Sequence, residues 1–488
     1  MKRRVFLPLL ALPLLALLLL APLLLSSCFI VINRPGEDTT RPAETEPLPP
    51  DTTAPPPPVA DPVEMKKEEA KARLASMMTR DMNGLSLIVS TSAGRLLGLE
   101  EEETTTLSRA RYEMMEEIRT KYNVKVLAIE PENGDTLAGI RAAKASGIYY
   151  ADLFLLPAGE VGSLALSGYL TDLSSAPFLA LSAEYYRGDA IFSATSGERI
   201  FAVSGAAAED PDRYACLWYD RTLAEARSLS PEGMVDAGTW TLDALLSLVR
   251  EVRGSGEGAP AALLSRAPIS VFAEDLFLSS DLRYSYLRED GQYDIFEPRG
   301  RAEEFADRLA ALSSGVFAQD GTPLSDAPFL EGNALFCFGR LGDKREFSLR
   351  EHDLCPLPLP KMDESQTDYV TPPDGALYFC IVSDCANIAE SAIFIDALNC
   401  RAYGQMREEY LSEFLNYFAR NERSVDMAER IADSVSYDRC CVFAPALPEL
   451  YAGTTEVLAA AAAGESLIYR YNAAFYKALL ALRTVTEP

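Results

Sequence analysis

The chain has 488 residues, a formal net charge of −27 at pH 7 and 48% hydrophobic residues. That length is ample for one large core or two lobes. The acidity excludes nucleic acid as a partner, because phosphates would be repelled and no basic patch opposes this. The sole histidine, His352, cannot complete a zinc-finger pattern, so we expect neither a metal nor another cofactor.

The first apolar run has the pattern of an export signal. Three basic residues at positions 2–4 precede an apolar stretch over 5–25. A single membrane-spanning helix is the alternative interpretation. The run ends in Leu-Ser-Ser-Cys, which resembles the bacterial lipobox, in which a lipidated cysteine becomes the new N-terminus. We therefore predict a signal peptide over 1–27 and a lipid on Cys28 that holds the protein to the outer face of the cell membrane.

A proline-rich tract follows the cysteine. Residues 35–62 contain ten prolines and almost no large apolar side chain. Such a segment cannot bury enough surface to offset its ordering entropy. We predict that 28–62 comprises the anchor and a disordered spacer, with the folded domain over 63–488.

The first part of the domain alternates between strand and helix patterns. A leading helix is predicted within 63–80, and three short apolar runs of strand length follow with amphipathic helices between them. The predicted strands span 85–90, 124–129 and 151–157. This alternation predicts an α/β fold with a mainly parallel sheet flanked by helices, whose ligands bind beyond the carboxyl ends of the strands.

A second α/β portion occupies the middle of the chain. One predicted helix over 238–252 has Thr239 or Thr241 available as its N-cap, and another spans 302–312. From about residue 386 the pattern is mostly helical and ends in one helix over about 455–484. Strands are predicted over 199–205, 214–220, 259–265, 270–276 and 332–339.

The eight cysteines that follow Cys28 are an even number in an exported chain, which permits disulfides. Most of them lie inside apolar strings such as "ALFCFG", where a free thiol behaves as a small hydrophobic side chain. We favour buried free thiols with at most one bridge.

Catalytic motifs are absent from the sequence: it has no GxSxG, HExxH, P-loop or GxGxxG pattern. Paired carboxylates could hydrolyse glycosides. However, the chain has 72 acidic residues, so such pairs arise by chance. We therefore do not expect an enzyme.

Five segments in order resemble the extracellular solute-binding proteins of ABC importers, in particular the carbohydrate-binding group. They cover nearly the whole domain and are "ADLFLLPAGEVGSLALSGYLTDLSS", "CLWYDRTLAEA", "GTWTLDAL", "GNALFCFG" and "HDLCPLPLPKMDESQTDYV". The first contains the family's Asp, Gly, Leu, Asp and Leu positions at Asp152, Gly168, Leu170, Asp172 and Leu173.

The resemblance implies a two-lobed periplasmic-binding-protein-like fold of type II. Each lobe would be a mainly parallel sheet flanked by helices, with the ligand cleft at the hinge. Lobe 1 would comprise about 82–205 and about 365–450, and lobe 2 about 206–364 with the C-terminal helices. The chain departs from the family at the loop over 156–160, where Leu156 replaces an aromatic ring and only Glu160 is charged.

Candidate ligand contacts are loop and strand-end positions. Thr91 and Ser92 follow the first strand, and Glu160 begins a helix where it could accept hydrogen bonds or simply favour the helix dipole. Arg340 follows a strand of the second lobe and could donate to a polar ligand. Asp374 lies in a turn that could line the cleft. Tyr219 and Trp240 are the two aromatic candidates, and packing in the core is the alternative interpretation of Trp240. The predicted set is therefore Thr91, Ser92, Glu160, Tyr219, Trp240, Arg340 and Asp374.

The function implied by the resemblance is capture of a small solute, with a carbohydrate expected, and its delivery to the transmembrane subunits of an ABC permease. We expect a monomer, attached to the membrane only through the lipid on Cys28. Two alternatives stay open: a secreted glycoside hydrolase using paired carboxylates, and a ligand-sensing or adhesive lipoprotein of the same fold.

Overall fold

The computed structural model describes residues 61–100, 105–254, 261–289, 292–373, 376–418 and 422–486. The predicted signal peptide, Cys28, the proline-rich spacer up to residue 60, and Asp374 lie outside the described residues. No helix within the described ranges is long and apolar enough to cross a membrane.

The strands follow one another along the chain as β1 Leu85–Thr91, β2 Val124–Ile129, β3 Leu153–Pro157, β4 Thr195–Ser196, β5 Arg199–Ile200, β6 Ala215–Asp220, β7 Ala261–Ser265, β8 Ser285–Leu287, β9 Tyr293–Ile295, β10 Ala334–Arg340, β11 Leu354–Leu357 and β12 Leu377–Ile381.

The α-helices are α1 Pro62–Ser76, α2 Thr106–Tyr122, α3 Thr136–Ala145, α4 Ala158–Leu166, α5 Gly188–Ser193, α6 Arg221–Ala226, α7 Pro231–Asp236, α8 Leu242–Arg253, α9 Ile269–Ser279, α10 Arg301–Ser313, α11 Ala327–Leu330, α12 Lys344–Phe347, α13 Ile388–Ala402, α14 Gln405–Tyr417, α15 Glu422–Asp433, α16 Cys440–Phe443, α17 Pro448–Gly453, α18 Thr455–Ala462 and α19 Leu467–Thr486.

Sheet 1 has four strands in the order β12-β3-β1-β2. The strands β1, β2 and β3 are parallel, with Val89 opposite both Ala128 and Leu153. Only β12 runs antiparallel, along β3. The predicted strand and helix alternation is confirmed here, because α2 buries its apolar stripe, including Leu107 and Met114, in the adjoining core.

Sheet 2 has the order β11-β6-β10-β7. It is mixed rather than mainly parallel as expected: β10 is parallel to β7 but antiparallel to β6, and β6 is antiparallel to β11. All six residues of β6 are buried. Thr241, one of the two predicted N-caps, begins α8 by accepting a hydrogen bond from the amide of Ala244 at 3.2 Å.

The chain passes between the sheets twice, since β12 belongs to sheet 1 although all four strands of sheet 2 precede it. The C-terminal helices contact elements around each sheet. Helix α16 packs against α4, α18 packs against α9, and α19 packs against β9. Residues 440–486 therefore join elements next to sheet 1 with elements next to sheet 2.

Three predicted elements differ from the structure. The stretch 270–276 is not a strand but part of α9, because Phe272, Ala273 and Leu276 recur at the helical period and are buried on one side. Within 199–205 only β5 and two isolated bridges, from Val203 to Phe379 and from Gly205 to Tyr186, are extended pairs. The predicted terminal helix is two helices, interrupted where Gly464 has a φ of 87°.

The described cysteines are free thiols. Seven are buried, and Cys441 is partly buried. Burial raises the pKa of each, for example that of Cys441 to about 12, since a thiolate is disfavoured away from water. The favoured interpretation of these residues as small core side chains therefore fits the structure.

Candidate functional site

A cavity of about 210 Å³ lies between sheet 1, α9 and the C-terminal helices. We call it the cleft. Its lining comes from four places in the chain: the end of β3 with the start of α4, α9 with Tyr284, the chain crossing before β12, and residues 440–455. The lining residues are Pro157, Ala158, Gly159, Val271, Glu274, Asp275, Leu278, Tyr284, Pro372, Pro373, Ala376, Cys440, Cys441, Ala444, Pro445, Tyr451 and Thr455.

The wall from sheet 1 is the carboxyl end of β3, where the parallel-sheet pattern predicts a ligand site. The amide of Ala158 donates to the carbonyl of Ala376 at 3.1 Å, which closes this wall against the chain crossing. Glu160 lies in the next turn, and its Oε2 is buried without a hydrogen-bond partner among the described residues. Glu160 is not part of the cleft lining, so this oxygen lies behind the wall rather than on its surface.

The wall formed by α9 carries an ion pair with the end of β10. Arg340, at the end of β10, lies 2.9 Å from Asp275 of α9, which is 3% exposed. Arg340 is fixed at its backbone as well, because its amide donates to Asp343 at 2.8 Å and its carbonyl accepts from the indole of Trp218 at 2.9 Å. This geometry presents a positioned carboxylate to the cleft.

The third wall, residues 440–446, packs closely on α4. A Cβ at Gly162 would lie 2.2 Å from the carbonyl oxygen of Val442, so the contact requires glycine. Asp438 anchors the start of this wall by accepting hydrogen bonds from the amides of Tyr284 at 3.0 Å and Cys440 at 2.7 Å. Burial raises the pKa of Asp438.

Arg439 ties this wall to α5 and to β9, neither of which lines the cleft. Its guanidinium lies 4.4 Å from the ring centroid of Phe192 in α5 and 4.1 Å from that of Tyr293 in β9. It also donates to the carbonyl of Thr195 at 3.3 Å. Arg439 thus links an element next to sheet 1 with the hairpin of β8 and β9.

Most polar side-chain atoms of the cleft lining are carboxylate and hydroxyl oxygens. Glu274 accepts a hydrogen bond from the hydroxyl of Thr455 at 3.4 Å, and Asp275 faces Arg340. Burial raises the pKa of Tyr451, so its hydroxyl stays protonated and can donate. The described residues contain no cluster of three or more His, Cys, Asp or Glu side chains that could hold a metal. The arrangement can hydrogen-bond a hydroxylated solute.

None of the predicted residues that the structure describes is part of the cleft lining, although two adjoin it. Arg340 is paired with the lining residue Asp275, and Glu160 is one residue beyond the lining residue Gly159. Thr91 and Ser92 end β1 but are not part of the lining. The Thr91 hydroxyl is buried and accepts from the amide of Ala93 at 2.9 Å, whereas Ser92 is exposed.

Two predicted aromatic residues are placed elsewhere, in the core around sheet 2. Tyr219 is 2% exposed, and its hydroxyl accepts from Arg221 at 3.2 Å. Trp240 is fully buried, packs on Phe336 and donates from its indole nitrogen to the carbonyl of Pro358 at 2.9 Å. Neither reaches the cleft because packing and hydrogen bonding hold both in the core. Asp374 follows the lining residue Pro373 but is outside the described residues.

Sequence reasoning missed the acidic pair Glu274 and Asp275 and the wall over 440–446. Both acids lie in the stretch that was predicted as a strand. The helical spacing of its apolar residues after Pro268 is the signal that could have placed them on α9. No local pattern marks 440–446, since its role depends on contacts with α4, nearly 280 positions earlier in the chain.

No protein-family model matches this chain, and no curated protein matches it either.

Solved structures do resemble it. One is the galacto-N-biose-/lacto-N-biose I-binding protein of an ABC transporter from Bifidobacterium longum, in complex with lacto-N-biose. The TM-score is 0.57 and the sequence identity is 12%, and the match covers 84% of this chain and 100% of that chain. Another is the ABC substrate-binding protein Lmo0181 from Listeria monocytogenes, in complex with cycloalternan, with a TM-score of 0.52 and 11% identity over 82% of this chain and 99% of that chain. The chain therefore has the periplasmic-binding-protein-like fold of ABC-transporter substrate-binding proteins.

Proposed function

We propose that this protein captures a small, uncharged, hydroxylated solute in the cleft and delivers it to an ABC permease, with a carbohydrate as the solute class. The observation that carries the proposal is the cleft itself, which lies between the end of β3, α9 and the C-terminal helices. The two structural relatives named above bind sugars according to their descriptions. We propose no reaction, since both relatives are binding proteins.

The lining suits hydroxyl groups. Glu274 and Asp275 are acceptors, and the hydroxyl of Tyr451 can donate. No tryptophan offers a stacking face there, because Trp218 and Trp240 are both fully buried in the core. Polar contacts would therefore dominate recognition.

The volume of the cleft limits the size of the solute that it can enclose. The cleft encloses about 210 Å³, which is less than the roughly 300–1,000 Å³ of pockets that hold drug-sized ligands. A solute larger than about one sugar ring would need the walls to separate. We propose that sheet 1 and sheet 2, each with its helices, act as lobes with boundaries as predicted from the sequence, and that their hinge motion admits and encloses the solute.

We also propose the export signal over 1–27 and a lipid on Cys28 as the attachment to the membrane. The burial of several acyl chains, at about 0.8 kcal/mol per methylene, would hold the protein to the membrane without a spanning helix. Replacement of Cys28 by serine should release the protein into the medium, whereas the unchanged chain should fractionate with membranes. Retention of the Cys28→Ser variant would show instead that the apolar run is an uncleaved span.

A thermal-shift screen of the purified protein tests the solute proposal. Neutral mono- and disaccharides, polyols, amino acids and short peptides should be compared, and the mixtures analysed for cleavage products. A bound solute stabilises by RT ln(1 + [L]/Kd), which is about 2.7 kcal/mol at 100 times Kd. Stabilisation by a sugar without product supports the proposal. Release of product would replace it with the hydrolase alternative, and stabilisation only by peptides would overturn the carbohydrate class.

A further inference from the structure

A second cavity, of about 580 Å³, shares no lining residue with the cleft. It lies where α1 and α2 meet residues 184–189, the chain crossing over 206–214, and the start of α14. Its lining is strongly charged and includes Lys66, Arg111, Arg187 and Arg407. We call it the arginine cavity.

Arg111 is the unusual residue of this lining. It lies on α2 and is 7% exposed, and its guanidinium has no hydrogen bond or ion pair with any described residue. A guanidinium always carries its charge near neutral pH and has five N–H donors. Burying such a group without a partner is costly, and proteins pair buried charges with few exceptions.

Three carboxylates attract Arg111 without forming an ion pair with it: Asp210, Asp212 and Glu413. Asp210 accepts hydrogen bonds from Arg95 and from Arg213, the latter at 3.1 Å. Asp212 is bound by the buried ammonium of Lys344. Burial lowers the pKa of Arg111 to about 10, and the attraction of Asp210 offsets only part of this effect.

The other arginines of the lining have partners. Arg187 lies 3.3 Å from Glu209, and Arg407 lies 2.6 Å from Asp433. Arg111 therefore differs from both, as a buried cation that lines a large cavity without an ion-pair partner.

A neutral hydrogen-bond donor lies in the same lining. Tyr214 is 5% exposed, and burial raises its pKa well above the ordinary value, so its hydroxyl remains protonated. A guanidinium and a phenol together favour an oxygen anion. The lining also contains five acidic residues, which disfavour a doubly charged ligand: Glu184, Asp189, Glu209, Glu408 and Asp433.

We propose that the arginine cavity binds a small solute through one carboxylate group, which forms a charge-assisted, two-pronged hydrogen bond with Arg111. A monocarboxylate fits better than phosphate, because phosphate near neutral pH carries more negative charge toward the acidic lining. This proposal does not depend on the function proposed for the cleft.

Titration of the purified full-length protein with sodium acetate, propionate and inorganic phosphate tests it, with sodium chloride at matched ionic strength as the reference. Calorimetry should detect saturable binding of the monocarboxylates, with phosphate weaker. The variant Arg111→Met should weaken acetate binding by at least about tenfold, while Arg111→Lys should retain part of it. The matched control is Arg109→Met, an exposed arginine on the same helix, which should bind acetate like the unchanged protein.

Equal responses to acetate and chloride, or unchanged binding by Arg111→Met, would overturn the proposal. If Arg111→Met fails to fold, hydrogen exchange of the unchanged protein decides the question. Acetate should then slow exchange in α2 and in residues 402–410, which border the cavity. Protection confined to other segments, or no protection, would also contradict the proposal.

Discussion

The carboxylate of Asp275 and the guanidinium of Arg340 lie 2.9 Å apart and join α9 to the end of β10 beside the cleft. Their side chains are 5% and 19% exposed, respectively. Removing one member of a buried pair leaves the other charge without compensation, which typically costs about 3–5 kcal/mol. We therefore predict that Arg340→Met lowers the free energy of unfolding by about 3 kcal/mol.

The double variant Arg340→Met with Asp275→Asn should recover part of this loss in urea denaturation, because no lone charge remains. Arg308→Met is the control, since Arg308 pairs with Asp243 at 2.9 Å on the surface and should cost less than about 1 kcal/mol. Equal losses for Arg340→Met and Arg308→Met would show that the cleft pair is no more important for folding than a surface pair.

Arg439 provides the second prediction. Its guanidinium packs against Phe192 and Tyr293, and such contacts contribute about 0.5–2 kcal/mol. Arg439→Met should therefore speed amide hydrogen exchange over 440–446 more than elsewhere, because this wall loses its contacts with α5 and β9. Uniform acceleration across the whole protein would mean that Arg439 supports global stability instead.

A third prediction concerns the packing of α16 on α4. Gly162→Ala places a methyl group 2.2 Å from the carbonyl oxygen of Val442, so the two segments must move apart. Overpacking of this kind costs about 1–3 kcal/mol. Gly188→Ala is a matched control, because nothing lies within 4 Å of the added methyl group and its φ is not positive. Thermal unfolding of both variants measures the difference, and similar midpoints would contradict the close contact.

The pH dependence of stability gives a fourth prediction. Burial raises the pKa of Asp396 above 3.8, although hydrogen bonds from the amide of Ala180 and from Tyr185 and Tyr186 oppose this. The folded state therefore binds this proton more tightly than the unfolded state. Its contribution to stability is fully present below pH 3.8 and is lost as the pH rises through the folded pKa.

Urea denaturation between about pH 4 and pH 7 should therefore show that the stability of the unchanged protein relative to Asp396→Asn falls as the pH rises. Asp81 is a control of opposite sign, because hydrogen bonds from the amide of Asn83 and from Asn123 lower its pKa. Its contribution is present above pH 3.8 and is lost as the pH falls. A constant difference between the unchanged protein and Asp396→Asn would contradict the assigned shift.

The architecture around sheet 1 was predictable because its information is local. The strand over 124–129 matches β2, and the apolar stripe from Leu107 to Tyr122 matches the buried side of α2. By contrast, the apolar residues of 270–276 have helical spacing, but over so short a run this spacing does not exclude a buried strand.

The site was less predictable because it depends on distant contacts. Arg340 was found as a strand-end residue, but its partner Asp275 is 65 positions away and lies on the helix that was predicted as a strand. Tyr219 and Trp240 have the residue types of sugar-stacking side chains. Only the structure shows that their hydroxyl and indole groups are held within the core.

The most direct test of the central claim is an equilibrium titration of the unchanged protein and of Asp275→Asn with the sugar that stabilises the protein most in the thermal-shift screen. We predict one bound sugar per chain and a loss of at least about tenfold in affinity for Asp275→Asn, as the loss of a charged acceptor requires. Unchanged affinity in Asp275→Asn, or the absence of saturable binding by any neutral sugar, would contradict the account.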